Sequence, residues 1–425
     1  MNESILVVAD NQIYRAIGNI SRKILHESDS AASVIEHAID QFQGNGGQVL
    51  LENGDFTLDR PIQLTNNITL RGVGRGTRLI ANHYAGLVCE GINGVSIADM
   101  RIVAGPNRNA KTGIILDYCG NCSVRDLICI GFADYGILMK NHCFLCEIRG
   151  CSLAGNGKAN VALHNNKCFV AERDLGSGSV STSTWQFTRA GFCVPNLVSN
   201  CTIFGGGKGI ELNETTVANI VACTVYQTHD IAFHIHKTSN SVLISGCRTF
   251  QITGPAVVVE ESHEFNLSSN IFCWHTEHGI ITNNARWGTI VGNEIIDTGS
   301  WNSELPVVNG TSSELLPEDF EPFNGINMID THGYAVTGNS IFNWQVCPPM
   351  KYGIYEDKAS KKNVITGNNI NLFSEDSVLS LGEETVDKDN VGESSTTHFW
   401  AASLENQLQS FVTQLMSEQI EIMKS

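Results

Sequence analysis

The feature that most constrains this chain is a short pattern that returns about every 23 residues: an apolar–polar strand, a small residue, Asn or Cys, then a second strand. Clear copies are LVSNCTI, LISGCRT, TIVGNEI, AVTGNSI and VITGNNI, and the earliest is SIADMRI. The residue after the small one falls at Met100, Leu127, Cys151, Cys201, Cys223, Cys247, Asn270, Asn293, Asn339 and Asn368. Successive gaps are 27, 24, 50, 22, 24, 23, 23, 46 and 29, the two long ones being what an inserted segment or a degenerate repeat produces. Each unit holds three short strand-like runs separated by Gly, Asn or Ser, which leaves no room for a helix, and the leucine-rich pattern is absent. The remaining solution is one coil of a parallel β-helix, in which like positions stack about 4.8 Å apart; about ten coils then make a rod roughly 50 Å long.

The ladder positions explain themselves in such a fold. Asn270, Asn293, Asn339 and Asn368 stack, each side-chain amide bonding the next coil's backbone, and Cys151, Cys201, Cys223 and Cys247 continue the column as small buried residues. This is scaffold, not chemistry.

Composition narrows the partners. The formal charge is −17, with no basic block, so the bulk field repels a nucleic-acid backbone. No apolar run approaches the 18 residues of a membrane span. Met1 to Asp10 carries no basic n-region, so a cytoplasmic location with reduced thiols is expected. The expected layout is an N-terminal extension over 1–30, a β-helix over 31–390 with insertions at about 167–195 and 301–323, and an amphipathic C-terminal helix over 391–425. Trp400, Leu404, Leu408, Phe411 and Leu415 mark the apolar stripe of that last helix.

A second recurring strand lies between the ladder turns: GIILD, GILMK, NVALH, GIELN, DIAFH, AVVVE and GIITN. Period-2 alternation turns Ile114, Leu116, Ile210, Leu212, Phe233 and Ile235 inward. The opposite face then carries a polar column of Asp117, Lys140, His164, Asn213, His234, Glu260 and Asn283. Beside it runs a mostly apolar column of Ile115, Leu138, Ala162, Glu211, Ala232, Val258 and Ile281. Polar groups for hydroxyls beside flat surface for C–H faces is what a sugar groove needs. Carboxylates one or two coils apart reach both separations used in glycosidic cleavage, about 5.5 Å and 6.5–9.5 Å. The expected catalytic set is therefore Glu211, Asp230, Glu260 and Glu261. Lys140, His164, Asn213, His234, His236, Trp274, His275, Glu277 and Asn283 are expected to bind substrate. His234 and His236 share one face and could join His275 or His278 as metal ligands, but no metal motif supports this, and no metal or cofactor is expected.

The opening residues add a resemblance. Ala31 to Phe42 is patterned as an amphipathic helix, and GGQVLLENGDFTLDRPIQLTNNITLRGVGRGTRLIA follows it. This is similar to the cap helix and first coils of the right-handed β-helix superfamily of pectate lyases, polygalacturonases, inulin fructotransferases and phage tailspikes. The resemblance spans Ala31 to Leu381 and implies an all-β, right-handed parallel β-helix between two helices. Pectate-lyase and polygalacturonase signatures are missing, since there is no NTD, DD or RIK. Inulin fructotransferases and difructose-anhydride hydrolases are the nearest resemblance: trimers whose acidic pair lies on central coils. Asp230 and the run Glu261-Ser262-His263-Glu264 look similar to those positions, although the Asp expected after Gly254-Pro255 is absent. The resemblance implies a homotrimeric enzyme cleaving glycosidic bonds of a neutral oligo- or polysaccharide, of the fructan type. Two alternatives stand beside it: a lyase acting by β-elimination on a uronate polymer, and a tailspike-like glycan-binding β-helix without catalysis.

Overall fold

The computed structural model describes residues 4–106, 109–166, 195–299, 323–343 and 350–394. The expected insertions and the apolar stripe from Trp400 onward lie outside the described residues.

From Gly47 onward the described strands stack in parallel register, three to a coil, into a β-helix of about 12 turns. That is slightly more than the ten coils expected. The first coils, built from Gly47–Leu51, Gly54–Leu58 and Ile68–Arg71, lack the Asn/Cys motif, and the last, Val386–Lys388 and Val391–Ser394, carries it at Asn390, beyond the copies counted from sequence. Val391–Ser394 is a strand paired with Asn369–Ser380, so the C-terminal helix does not begin at 391.

The small residue before each ladder position has a backbone reason. Asp126, Asn200, Ala222 and Ser269 all hold φ between 52° and 57°, and Gly246, Gly292, Gly338 and Gly367 hold 63° to 65°. The left-handed conformation turns the chain between sheets and is cheapest for Gly, Asn and Asp. The next side chain then points inward. Asn339 shows what it does there: Nδ2 donates to Ile290 O at 2.9 Å and Asn368 Oδ1 at 2.9 Å, while Oδ1 accepts the Asn293 backbone N–H at 3.0 Å. The expected ladder is present and runs on to Asn390, whose Oδ1 accepts from Asn368.

Between the sheets, identical positions stack apolar on apolar. Ile114, Ile137, Val161, Ile210, Phe233, Val257, Ile280 and Ile326 are in register on successive coils and wholly buried. Each contributes roughly 1.5–3 kcal/mol of burial, so the rod is stabilised along its whole length. The N-terminal end is closed by the helix Ala31–Asp40, capped by Ser30 Oγ accepting the Ser33 N–H at 3.1 Å, with Val34, Ile35 and Ile39 buried. The extension before it is not loose chain. Ile5–Asp10, Ile13–Gly18 and Ile24–Ser28 form an antiparallel run, and the first of these pairs in parallel with Gly47–Leu51. Among the described residues no helix is long and apolar enough to cross a membrane.

Candidate active site

The strands that carry the candidate chemistry are Tyr135–Lys140, Ala159–His164, Lys208–Asn213, Phe233–His236, Val257–Glu260 and Ile280–Asn283, hydrogen-bonded in that order. Their register corrects one expectation. Glu211 pairs with His234, and Asn213 pairs with His236. The polar column is therefore Asp117, Lys140, His164, Asn213, His236, then Glu260 and Asn283, and His234 replaces Ala232 in the column of Glu211. The strand begins at Phe233 because Ala232 is spent on the preceding turn. A slip of two leaves both histidines on the expected face, since alternation has period 2.

Glu211 is the centre. It projects from the outer face yet is only 8% exposed. Its Oε2 takes a hydrogen bond from His164 Nε2 at 2.9 Å, and its Oε1 takes one from Lys208 Nζ at 2.7 Å. Burial alone would push the carboxyl up; His164, His236 and Lys208 together outweigh it and hold Glu211 well below the usual carboxylate range. His234 Nε2 meets Glu260 Oε1 at 2.7 Å. A carboxylate only accepts, so Nε2 carries the proton and Nδ1 keeps a lone pair. That Nδ1 is 3.9 Å from Glu211 Oε1, and His236 Nε2 is 3.4 Å from the same oxygen. Both nitrogens are buried without a hydrogen-bond partner. The two rings stack in parallel, 4.1 Å apart with 3° between planes. Burial pushes the His234 pKa down against the opposing pull of Glu260.

Two members of this group escape sequence alternation. By parity with Ile210 and Ile137, Lys208 and Tyr135 should face inward, yet Lys208 bonds Glu211, and Tyr135 packs on Leu138, Ala159 and Ala162. Between each and the strand sits a glycine, Gly209 or Gly136. A Cβ at Gly209 would stand 2.4 Å from the Ala232 carbonyl oxygen. The close approach bends the chain and turns the preceding side chain outward. The recurring Gly-Ile pair was the signal available in the sequence.

Other expected residues are dispersed. Glu261, at φ 49°, is exposed in the turn after its strand. Asp230 is exposed in the turn before Phe233 and lies near Glu277, whose pKa is pushed up by partial burial and by the Asp230 carboxylate. Trp274 is on the neighbouring sheet, where Nε1 donates to Asp297 at 2.7 Å beside the Tyr226–Phe250 stack. His275 is wholly buried, 3.3 Å from Thr249 Oγ1, and so is no substrate ligand; His278 Nδ1 accepts the Asn324 N–H at 2.8 Å. Neither joins His234 and His236.

Sequence reasoning also passed over Cys119-x-x-Cys122 and Cys143-x-x-Cys146. These thiols are buried and free, and donate to the carbonyls of Cys89, Ile92, Leu116 and Cys119 one coil earlier at 3.3–3.9 Å. Asn166 and Asn196 continue the same two columns, accepting the N–H groups of Cys143 and Cys146. The quartet does the ladder's work.

Comparison with known proteins adds the following. The family model described as periplasmic copper-binding protein (NosD) matches residues 64–246 and 194–384. No curated protein matches the chain in sequence. Among solved structures, the A-module of Azotobacter vinelandii mannuronan C-5 epimerase AlgE6 is similar at TM-score 0.60 and 14% identity, covering 85% of this chain and 95% of that one. A PL6 alginate lyase in complex with a trisaccharide aligns at TM-score 0.52 and 10% identity, over 92% and 86% of the two chains. The catalytic unit of a GH87 α-1,3-glucanase from Streptomyces thermodiastaticus aligns at TM-score 0.51 and 11% identity, over 88% and 68%. These likenesses show the fold, the right-handed parallel β-helix expected from the opening segment.

Proposed function

For this chain, which belongs to the NosD family, we propose a carbohydrate-active enzyme that cleaves a glycosidic bond across the outer face around Glu211. The observation that carries the reading is the line Glu211–His234–Glu260. His234 is 3.9 Å from one carboxylate and 2.7 Å from the other, so across the width of the ring the two stand at most about 9 Å apart, within reach of either separation used for glycosidic cleavage.

The residues divide the labour. Glu211, buried and held ionised, stabilises the positive charge that develops at the anomeric carbon. Glu260, the more exposed of the two, acts in its protonated form, with Oε1 still accepting from His234 Nε2–H. It hands the proton on its other oxygen to the leaving glycosidic oxygen; water then supplies its hydroxyl to the anomeric carbon and its other proton to the Glu260 carboxylate. Ile115 and Ile281, the half-buried members of the apolar column, offer surface beside the polar column for a sugar ring, whereas Ala162 between them is wholly buried.

Charge favours a neutral glycan over a polyuronate. Three lysines near this face are paired with carboxylates: Lys140 with Asp117 at 2.9 Å, Lys158 with Asp134 at 3.2 Å, and Lys208 with Glu211. A uronate neutralised by any of the three would have to break its pair, which disfavours β-elimination there. The family description also raises copper. Glu211, His234 and His236 are the residues that would hold such an ion, their two orphaned nitrogens fitting it, and a bound ion would supply Lewis-acid charge there.

The test is a panel of neutral and acidic oligosaccharides, fructans included. New reducing ends or a cyclic product without ultraviolet-absorbing unsaturation is expected, falling at least about 10²-fold in Glu260→Gln. Unsaturated products would mean elimination. Binding without turnover, or full kcat in Glu260→Gln, overturns the proposal.

A further inference from the structure

We propose that Glu211 Oε1, His234 Nδ1 and His236 Nε2 form a binding site for one borderline divalent transition-metal ion, cupric ion or zinc, and that Lys208 occupies the ion's place when none is bound. The inference does not rest on the glycan reading.

The three donor atoms lie within 4.8 Å of one another. With metal–ligand bonds of about 2.0–2.2 Å, tetrahedral ligands stand about 3.3 Å apart. His236 Nε2 is already 3.4 Å from Glu211 Oε1 and His234 Nδ1 is 3.9 Å from it, so closure needs side-chain movement only. A His-x-His pair on one strand supplies two imidazoles side by side because residues two apart share a face.

The geometry leaves two nitrogens open. His234 Nδ1, in a residue 7% exposed, has no hydrogen-bond partner and faces a carboxylate oxygen at 3.9 Å. His236 Nε2, in a residue 9% exposed, has no hydrogen-bond partner either. The surrounding groups have the arrangement that orients metal ligands. Glu260 holds the far nitrogen of His234, the carboxylate–histidine arrangement that sets a ligand's tautomer, and His164 holds the second oxygen of Glu211. Imidazole and carboxylate suit copper and zinc, and copper binds the more tightly of the two.

Lys208 sharpens the proposal. Its ammonium is 2.7 Å from Glu211 Oε1, the same oxygen that the two histidine nitrogens face. An ammonium and a metal ion cannot share that oxygen without mutual repulsion, so binding expels Lys208 toward solvent. Removing the ammonium should tighten metal binding, whereas a purely structural role for Lys208 predicts looser packing and no such gain.

The test uses the full chain, stripped with chelator, in the absence of sugar. One equivalent of cupric ion is expected, with electron paramagnetic resonance showing coupling to two imidazole nitrogens. His236→Gln should weaken binding at least about 100-fold, and Glu260→Gln, a second-sphere change, about 10–100-fold. Lys208→Met should tighten it about 10-fold. Cobalt(II) serves as an independent probe: ligand-field bands without an intense thiolate charge-transfer band are expected. A thiolate band would place the ion on the buried cysteines and overturn the assignment. So would the absence of two-nitrogen coupling in the wild-type chain, unchanged affinity in His236→Gln, or unchanged or weaker affinity in Lys208→Met. Inactivity on every glycan would leave the metal assignment standing, and failure to bind metal would leave the glycan reading standing.

Discussion

Replacing Glu211 by Gln keeps the shape of the side chain and removes its charge, which isolates the electrostatics of the site. The carboxylate receives hydrogen bonds from Lys208 at 2.7 Å and His164 at 2.9 Å. Bonds to a charged group contribute about 1.5–3 kcal/mol each. The amide retains one acceptor oxygen, so it keeps a weakened bond to one donor and turns an N–H toward the other. Lys208 and His164 side chains are 20% and 22% exposed, so water restores only part of the loss. A net destabilisation of about 2–4 kcal/mol at pH 7 follows. The pH dependence has a definite sign. Glu211 in the folded chain titrates below its unfolded value, near 4.3, so its contribution is complete above about pH 5 and is lost on acidification, as the unfolded chain takes up the proton first. The gap between wild type and variant should therefore narrow by about 1.4 kcal/mol per pH unit below pH 4. Denaturant unfolding across pH 3 to 8 measures it. A gap under about 0.5 kcal/mol at pH 7, or one that stays constant on acidification, would refute the argument.

Three further outcomes are expected. Asn339→Ala removes bonds to two coils and leaves the Asn293 N–H and the Ile290 carbonyl buried without their partner, a loss of about 3–5 kcal/mol in denaturant unfolding; a change under about 1 kcal/mol would show that the ladder is ornamental. Burial drives the His275 pKa down to about 3, so stability is whole above pH 6.5 and falls with acidification toward pH 3; His275→Gln should reduce the slope of stability against pH by about one proton, and an unchanged slope would remove His275 from the account. Gly209→Ala places a methyl against the Ala232 carbonyl and should cost about 1–3 kcal/mol while displacing Lys208, read as weaker unfolding resistance together with altered turnover; wild-type behaviour in both would mean that the bend tolerates a side chain.

The legibility of this molecule was uneven for physical reasons. The ladder Asn270–Asn293–Asn339–Asn368 could be read directly because a stacked amide satisfies two coils at once, and the chain repeats that solution. The inward stripe through Ile210 and Phe233 was equally readable. His234 was placed one pair too far along because the strand there begins later than its neighbours, at Phe233. Trp274 and His275 were assigned to the groove from proximity in sequence, but three strands per coil send residues a few positions apart onto different sheets or into the core. Lys208 was missed because a glycine bend inverts the alternation that predicts facing.

By itself, then, the amino-acid order was enough for the solenoid, its spacing and the side of the wall on which Glu211, His234, His236 and Glu260 emerge, since these follow from periods of 2 and about 23 that the central coils display. Which nitrogen is left with a bare lone pair, which oxygen Lys208 grips, and whether a given acid is ionised were decided only by the folded coils. Those properties depend on separations of a few ångströms between residues more than twenty positions apart, and no local period encodes a distance.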